Sequence, residues 1–216
     1  MRHIVHDASP PLSLQAAYRA NPHPLNPYQA WKEFDSRELR ERLWELQSGL
    51  CAYCERTLDI GPGCTTIEHI IPKSRHPDQT FQYFNLVLCC ADPNTCNLYK
   101  RGKYFAGADD TGRWREGFIG PTQPRCATTF SYKRSGEVVP SETAVQDDAR
   151  DTIAIVNLNF EALKTERREY LERIESVIVS MSDQLDALRV YLAKELCLGS
   201  LKPFYSAKHQ HFLVPT

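Results

Sequence analysis

Six of the eight cysteines in this chain fall between Cys51 and Cys96, at positions 51, 54, 64, 89, 90 and 96. That spacing limits the fold more than any other feature. Cys51-Ala52-Tyr53-Cys54 has the two-residue gap with which one turn offers two thiolates to a zinc ion, and zinc takes four such ligands in a tetrahedron. Cys90 and Cys96 make the second pair. Their gap is wider, so Ala91-Asp92-Pro93-Asn94-Thr95 must loop out. Cys89 competes with Cys90 for the place, and the sequence leaves that choice open. Buried free thiols in an ordinary core are the competing explanation. Two cysteine pairs bracketing a short β-prone segment favour zinc. Cys64, Cys126 and Cys197 lack matching partners and read as ordinary buried residues.

Clustered cysteines point to metal rather than disulfides where thiols stay reduced. The opening Met1-Arg2-His3-Ile4-Val5-His6-Asp7 lacks the apolar stretch of a secretory signal, and no apolar run approaches the roughly 20 residues needed to span a bilayer. The expectation is therefore a cytoplasmic protein with no membrane partner. A chain of 216 residues that is 42% hydrophobic and 25% charged can bury a core of its own. The net charge of −1 excludes an overall basic nucleic-acid binder. Basic residues gather locally at Lys100, Arg101, Lys103, Arg113 and Arg115, beside the cysteine-rich centre.

Three regions are expected. Residues 1–35 form an N-terminal arm, made irregular by Pro10, Pro11, Pro22, Pro24 and Pro27. Residues 36–142 form the central unit. It should open with a helix over residues 36–48, capped by Asp35 or Ser36, with Asp35 and Glu38 as a capping box and Gly49 as a left-handed stop. Cys64 to Ile71 is β-prone and ends at Pro72; Phe84 to Leu88 enters a second short strand; Cys96 begins a helix. Thr128 to Tyr132 and Glu137 to Val139 read as a hairpin around Ser135-Gly136. Residues 143–216 are a helical region, strongly so over 145–198.

Between the cysteine pairs lies Ile67-Glu68-His69-Ile70-Ile71-Pro72-Lys73-Ser74. Hydrolysis of a phosphodiester needs a proton acceptor for water and charge relief at phosphorus and the leaving oxygen. His69 titrates near neutrality, which suits the first task. Glu68 and Asn97 offer the oxygen ligands that hard cations prefer. Neighbouring residues on a strand point to opposite faces, so Glu68 and His69 should not share a site if both lie mid-strand.

The order CxxC, Glu-His-x-x-Pro, Asn85-Leu86, then Cys96-Asn97-x-x-Lys100 resembles the HNH nuclease family, over residues 50–101. The resemblance implies an α+β fold: a ββα-metal nuclease core with a structural zinc knuckle and added N- and C-terminal helices. It implies that Glu68 and His69 stand at the end of the first strand, with the helix bearing Asn97 packed across it. It assigns His69 as general base, Glu68 and Asn97 as ligands of a catalytic Mg²⁺ or Mn²⁺, and Asn85 as a brace that orients His69. The family more often has His where this chain has Asn97. Lys73, Lys100 and Arg101 become candidates for contacts to nucleic acid, and Zn²⁺ the structural ion on Cys51, Cys54, Cys90 and Cys96. Products would carry 5′-phosphate and 3′-hydroxyl ends.

Outside that core, Phe130-Ser131-Tyr132 with Gly136, and Val156-Asn157-Leu158-Asn159 with Leu163 and Arg167, narrow the likeness to the PtuB-type HNH proteins of Septu and retron-associated anti-phage systems. This resemblance implies an ABC-type ATPase partner of the PtuA kind, with the helical region and the N-terminal arm as docking candidates. Two other readings fit parts of the pattern. One is an RNase, for example a tRNA-cleaving effector. The other is a non-enzymatic zinc-ribbon module that only binds nucleic acid, which accounts for the cysteines but not for Glu68-His69.

Overall fold

The computed structural model describes residues 1–61, 63–103, 117–180, 190 and 201–212, and the backbone alone for 101–103 and 180. The element order is α1 (Leu12–Ala20), α2 (Pro27–Glu33), α3 (Arg37–Leu46), β1 (Thr65–His69), β2 (Leu86–Cys90), α4 (Cys96–Lys103), α5 (Cys126–Thr129), β3 (Phe130–Tyr132), β4 (Val138–Pro140), α6 (Gln146–Ile155), α7 (Glu161–Ser180) and α8 (Tyr205–Phe212). Two short 3-10 turns, Pro77–Gln79 and Tyr83–Asn85, lie between β1 and β2.

β1 and β2 pair antiparallel, from Thr65 opposite Cys90 to His69 opposite Leu86. All five residues of β2 are buried. A strand so enclosed cannot leave backbone groups to water, and Gln47 at the end of α3 satisfies some of them. Its Nε2 donates to the carbonyls of Leu50 and Leu88 at 2.8 Å, and its Oε1 accepts from Leu88 N at 2.7 Å. α3 ends as expected: Gly49 has φ +70°, and its N–H donates to Trp44 O. The segment from residue 1 to 6 then runs over the same core. His6 donates from Nε2 to Leu86 O at 2.9 Å, and Arg2 N donates to Glu55 Oε1 at 2.8 Å.

Three expectations need correction. The N-terminal arm is not irregular throughout, since it contains α1 and α2. Asn26 caps α2, its Oδ1 accepting from Gln29 N at 3.0 Å, and Pro27 opens the helix, where a missing N–H costs nothing. The capping box at α3 does not form. Asp35 Oδ1 accepts from Arg37 N, while Glu38 turns to another helix and accepts from Leu12 N and Ser13 N at the start of α1. A carboxylate serves any helix N-terminus it can reach, and tertiary packing chose α1 over its own helix. Finally, the helical region breaks at residues 156–160, where Asn157 takes φ +48°, to give α6 and α7. Met181, Leu185, Leu188, Leu192 and Cys197, read as helical, lie outside the described residues, as do Arg113 and Arg115.

The break has a use. Val156 O accepts from Cys96 N at 2.8 Å and from Thr95 Oγ1 at 3.0 Å, and Asn157 Nδ2 donates to Asn94 O at 2.7 Å. The turn between α6 and α7 therefore holds the loop between Cys90 and Cys96. The hairpin β3–β4 forms as expected and packs on α7 through Gly136. A Cβ there would lie 2.0 Å from Lys164 O, and its φ of +82° also demands glycine. Arg167, 1% exposed, donates to Gly136 O and lies over the rings of Tyr132 and Phe204.

Candidate active site and sulfur cluster

The sulfurs of Cys51, Cys54, Cys90 and Cys96 lie within 4.8 Å of one another. Cys51 and Cys54 sit on the turn before residue Glu55, whose φ of +61° reverses the chain. Cys90 ends β2, and Cys96 opens α4 with φ +56°. The segment 91–95 loops out between them, tied by Arg56 to Asp92 at 2.7 Å. The Sγ–Sγ distances are 3.6 Å for Cys51–Cys96 and 3.9 Å for Cys54–Cys90. Zinc–sulfur bonds of about 2.3 Å in a tetrahedron put sulfurs about 3.8 Å apart, so this cage has the size that zinc requires. Cys89 approaches Cys51 but stands outside the four-sulfur set, to which Cys90 belongs.

Burial and mutual contact govern the electrostatics of these thiols. Burial pushes the thiols of Cys54 and Cys96 well up, and the crowding of neighbouring thiols pushes them further. Burial also raises Cys51, yet hydrogen bonds from Cys54, Cys89, Cys90 and Cys96 outweigh it and hold this thiol well below its ordinary value. Several thiolates cannot coexist in such a space without a positive ion.

Beside the cage opens a cleft of about 480 Å³. Glu68, His69, Asn97, Lys73 and Lys100 line it, together with Tyr28, Trp31 and Lys32 from α2. His69 is the last residue of β1, so the strict alternation of the strand ends there, and Glu68 and His69 can border one space. His69 Nε2 lies 3.0 Å from Thr80 O. A carbonyl only accepts, so Nε2 carries a proton and donates it to Thr80 O. Trp31 meets the imidazole edge-on, with ring centroids 4.4 Å apart.

Asn85, 4% exposed, closes the loop that leads to Thr80. Its Oδ1 accepts from Ile71 N at 2.7 Å, and its Nδ2 donates to Ile71 O at 2.9 Å and Gln79 O at 3.1 Å. Asn85→Ala leaves Ile71 N and O without this partner, whereas Gln79 O still accepts from Gln82 N. At about 1–3 kcal/mol for each of these two groups, the melting temperature should fall by roughly 4–24 °C, as a thermal melt would read. A fall below about 2 °C would show that the loop does not depend on this side chain.

Asn97 is buried and donates from Nδ2 to Thr66 Oγ1 at 2.8 Å, which fixes its amide plane. Glu68 accepts from Tyr53 OH at 3.3 Å and forms an ion pair with Lys100. Lys100, 3% exposed, also donates to Ile70 O at 2.8 Å. It is thus engaged inside the site, buried where it lines the cleft. Lys73 sits over the Tyr28 ring, 5.0 Å from its centroid. Arg101 lies on α4, and its side chain is outside the described portion.

Sequence reasoning did not find the contribution of α2. The signal was present: Asn26-Pro27 is a helix-start pair, and Trp31 follows one turn after Tyr28. Nor could Thr80 be found, because it acts through its backbone, which no residue type announces.

With this geometry in place, two comparisons bear on the site. Residues 51–101 match the family model described as HNH endonuclease. The chain is also 30% identical, over 146 residues, to "Retron Vc95 putative HNH endonuclease" of Vibrio cholerae serotype O1 biovar El Tor, an alignment covering 63% of this chain and 64% of that protein. The chain therefore spans less than two thirds of that relative's length. Through the segment that carries both the sulfur cage and the histidine cleft, this chain is similar to the HNH endonucleases.

Proposed function

We propose that the chain is a metal-dependent HNH endonuclease, hydrolysing phosphodiester bonds of nucleic acid on a ββα-metal core made of β1, β2 and α4. One observation carries the reading: Glu68 and His69, adjacent in sequence, border a single cleft with Asn97, and a backbone carbonyl holds the imidazole in place through Nε2.

His69 Nδ1 takes the proton from an attacking water. The Nε2–H bond to Thr80 O holds the ring plane while charge develops on it, and Trp31 packs on its edge. Asn85 is a positioning residue that secures the loop ahead of Thr80. A divalent cation of the magnesium or manganese kind would supply charge relief at the phosphate and the departing 3′ oxygen, with Glu68 and Asn97 as its protein ligands. Both are oxygen-bearing, buried and in the cleft, which fits such a cation. The products are 5′-phosphate and 3′-hydroxyl ends. This chemistry serves DNA and RNA alike, with DNA the first substrate to try.

Lys100 sets a condition on that ion. Its ammonium already balances the Glu68 carboxylate, so the two cations compete for one ligand. Lys100→Met should raise Mn²⁺ affinity about tenfold, a 1.4 kcal/mol change, in electron paramagnetic resonance titrations of the free ion. It should also lower stability by about 3–5 kcal/mol, because a buried carboxylate loses its partner. Unchanged or weaker Mn²⁺ binding in a folded variant would show that Glu68 is not shared.

The wider setting we propose is that of the PtuB type: a cytoplasmic effector of anti-phage defence, controlled by an ABC-type ATPase. The relative named a retron HNH endonuclease supports the retron setting, and the exposed Val177 and Val179 on the outer turns of α7 suit a protein contact. Affinity purification that recovers no ATPase would remove this part alone. The nuclease reading is tested by incubating wild type and His69→Ala with DNA and RNA substrates and Mg²⁺ or Mn²⁺. Equal cleavage by both, or none by either, would leave a zinc-ribbon binding module.

A further inference from the structure

The aromatic wall of the cleft is only partly used by the roles above: Trp31 packs on His69, but Tyr28 has none of them. Trp31 is fixed from behind: its ring lies 5.3 Å from Phe34 and 5.9 Å from Phe81, and these two lie 5.7 Å from each other. Tyr28 stands one helical turn before Trp31, so both rings rise from the same face of α2 and line the same cleft. Yet Tyr28 is 60% exposed. The ammonium of Lys73 lies 5.0 Å from the Tyr28 centroid and 5.8 Å from that of Trp31, and Lys32 completes the rim. An exposed ring beside a rigid one, with two ammonium groups at the edge, offers a flat π surface and phosphate partners within one opening.

We propose that Tyr28 and Trp31 form a stacking platform for an unpaired nucleobase adjoining the scissile phosphate, with Lys73 and Lys32 on its flanking phosphates, so that the site selects single-stranded nucleic acid. The inference rests on the nuclease reading for the word scissile, but not for the platform itself. Every base has a π face, and stacking on an aromatic side chain is tolerant of sequence. In a duplex both faces of each base are covered by its neighbours, and only the edges are open. A base that meets Tyr28 must therefore lie outside a helical stack. The dimensions agree, since a cleft of about 480 Å³ admits a nucleotide but not the width of a duplex.

The test uses the full chain carrying His69→Ala, so that substrate survives, and oligonucleotides containing 2-aminopurine, whose emission falls on stacking. DNA and RNA single strands and their duplexes are titrated separately. At least one single strand should bind with quenching, and at least about tenfold more tightly than its duplex. Adding Tyr28→Ala should weaken that binding roughly 5- to 150-fold, the range for loss of one aromatic–base stack. Tyr28→Phe should restore it, because the face and not the hydroxyl is used. Tyr28 is exposed, so melting temperatures of both variants should stay within about 2 °C of the parent, as for other surface substitutions. Duplex binding as tight as single-strand binding, no binding of either strand, or no effect of Tyr28→Ala would each overturn the proposal. The two readings fail separately. A wild type that cuts nothing but still quenches 2-aminopurine keeps the platform and loses the nuclease. A His69-dependent enzyme indifferent to Tyr28→Ala keeps the nuclease and loses the platform.

Discussion

His69→Ala is expected to slow phosphodiester cleavage by about 10²- to 10⁴-fold at saturating substrate, the usual contribution of a positioned general base. The size of the effect follows from how completely the ring is held. The protein ties Nε2 to Thr80 O and packs the ring edge against Trp31, and so fixes the orientation of the imidazole for proton transfer. A replacement without a basic atom loses the function outright, since among the described cleft residues the other side chains are Glu68, which is paired with Lys100, and groups that are cationic, amide, hydroxyl or apolar. The measurement is an initial rate on a labelled oligonucleotide, with a melt to show that the variant is folded. Residual activity within about threefold of wild type, in a protein purified away from host nucleases, would exclude His69 as the base, because the smallest loss expected of a general base is about a hundredfold.

The second large effect concerns the sulfur cage. One zinc per chain is expected by elemental analysis, matching the single four-cysteine group among the described residues. Stripping it with a strong chelator, or replacing Cys90 with serine, should unfold the centre of the chain. Structural zinc contributes about 10–16 kcal/mol in small peptides at neutral pH, whereas a whole domain is stable by about 5–15 kcal/mol. Losing even half of the zinc contribution removes most of the stability. The site lies downstream of this loss. Cys90 ends β2 and Cys96 begins α4, so the cage sets where Asn97 and Lys100 stand relative to Glu68. Cys89→Ala is the control. It should keep the zinc and cost only about 1–2 kcal/mol for a small cavity, which is roughly 2–8 °C in the melt. If Cys89→Ala loses zinc and Cys90→Ser keeps it, the assignment of the fourth ligand is wrong.

Residue types at fixed spacing made much of this legible in advance. A thiolate pair two residues apart, a second pair after a strand, and Glu-His before a proline each carry their chemistry wherever the backbone goes. The same holds for Gly49 and Gly136, where only glycine accepts the turn or the close approach. The short strands and the hairpin followed from β-prone residues between strong breakers. The misreadings share one cause, that a side chain's partner is chosen in space. Glu38 could cap its own helix or another, and packing gave it α1. Proline-rich composition suggested an irregular arm, although Asn26-Pro27 opens a helix whose aromatic face reaches the cleft.

The sequence by itself determined the cysteine spacing, the Glu68-His69 motif and the order of β1, β2 and α4, because these depend on residue type and local spacing. Only the tertiary structure decided that Cys90 rather than Cys89 joins the cage, that Lys100 turns inward to Glu68, that Thr80 holds the imidazole and that Tyr28 and Trp31 wall the cleft. Each of those outcomes is a contact between residues far enough apart in the chain that its energy depends on how whole elements pack, and no local pattern encodes that.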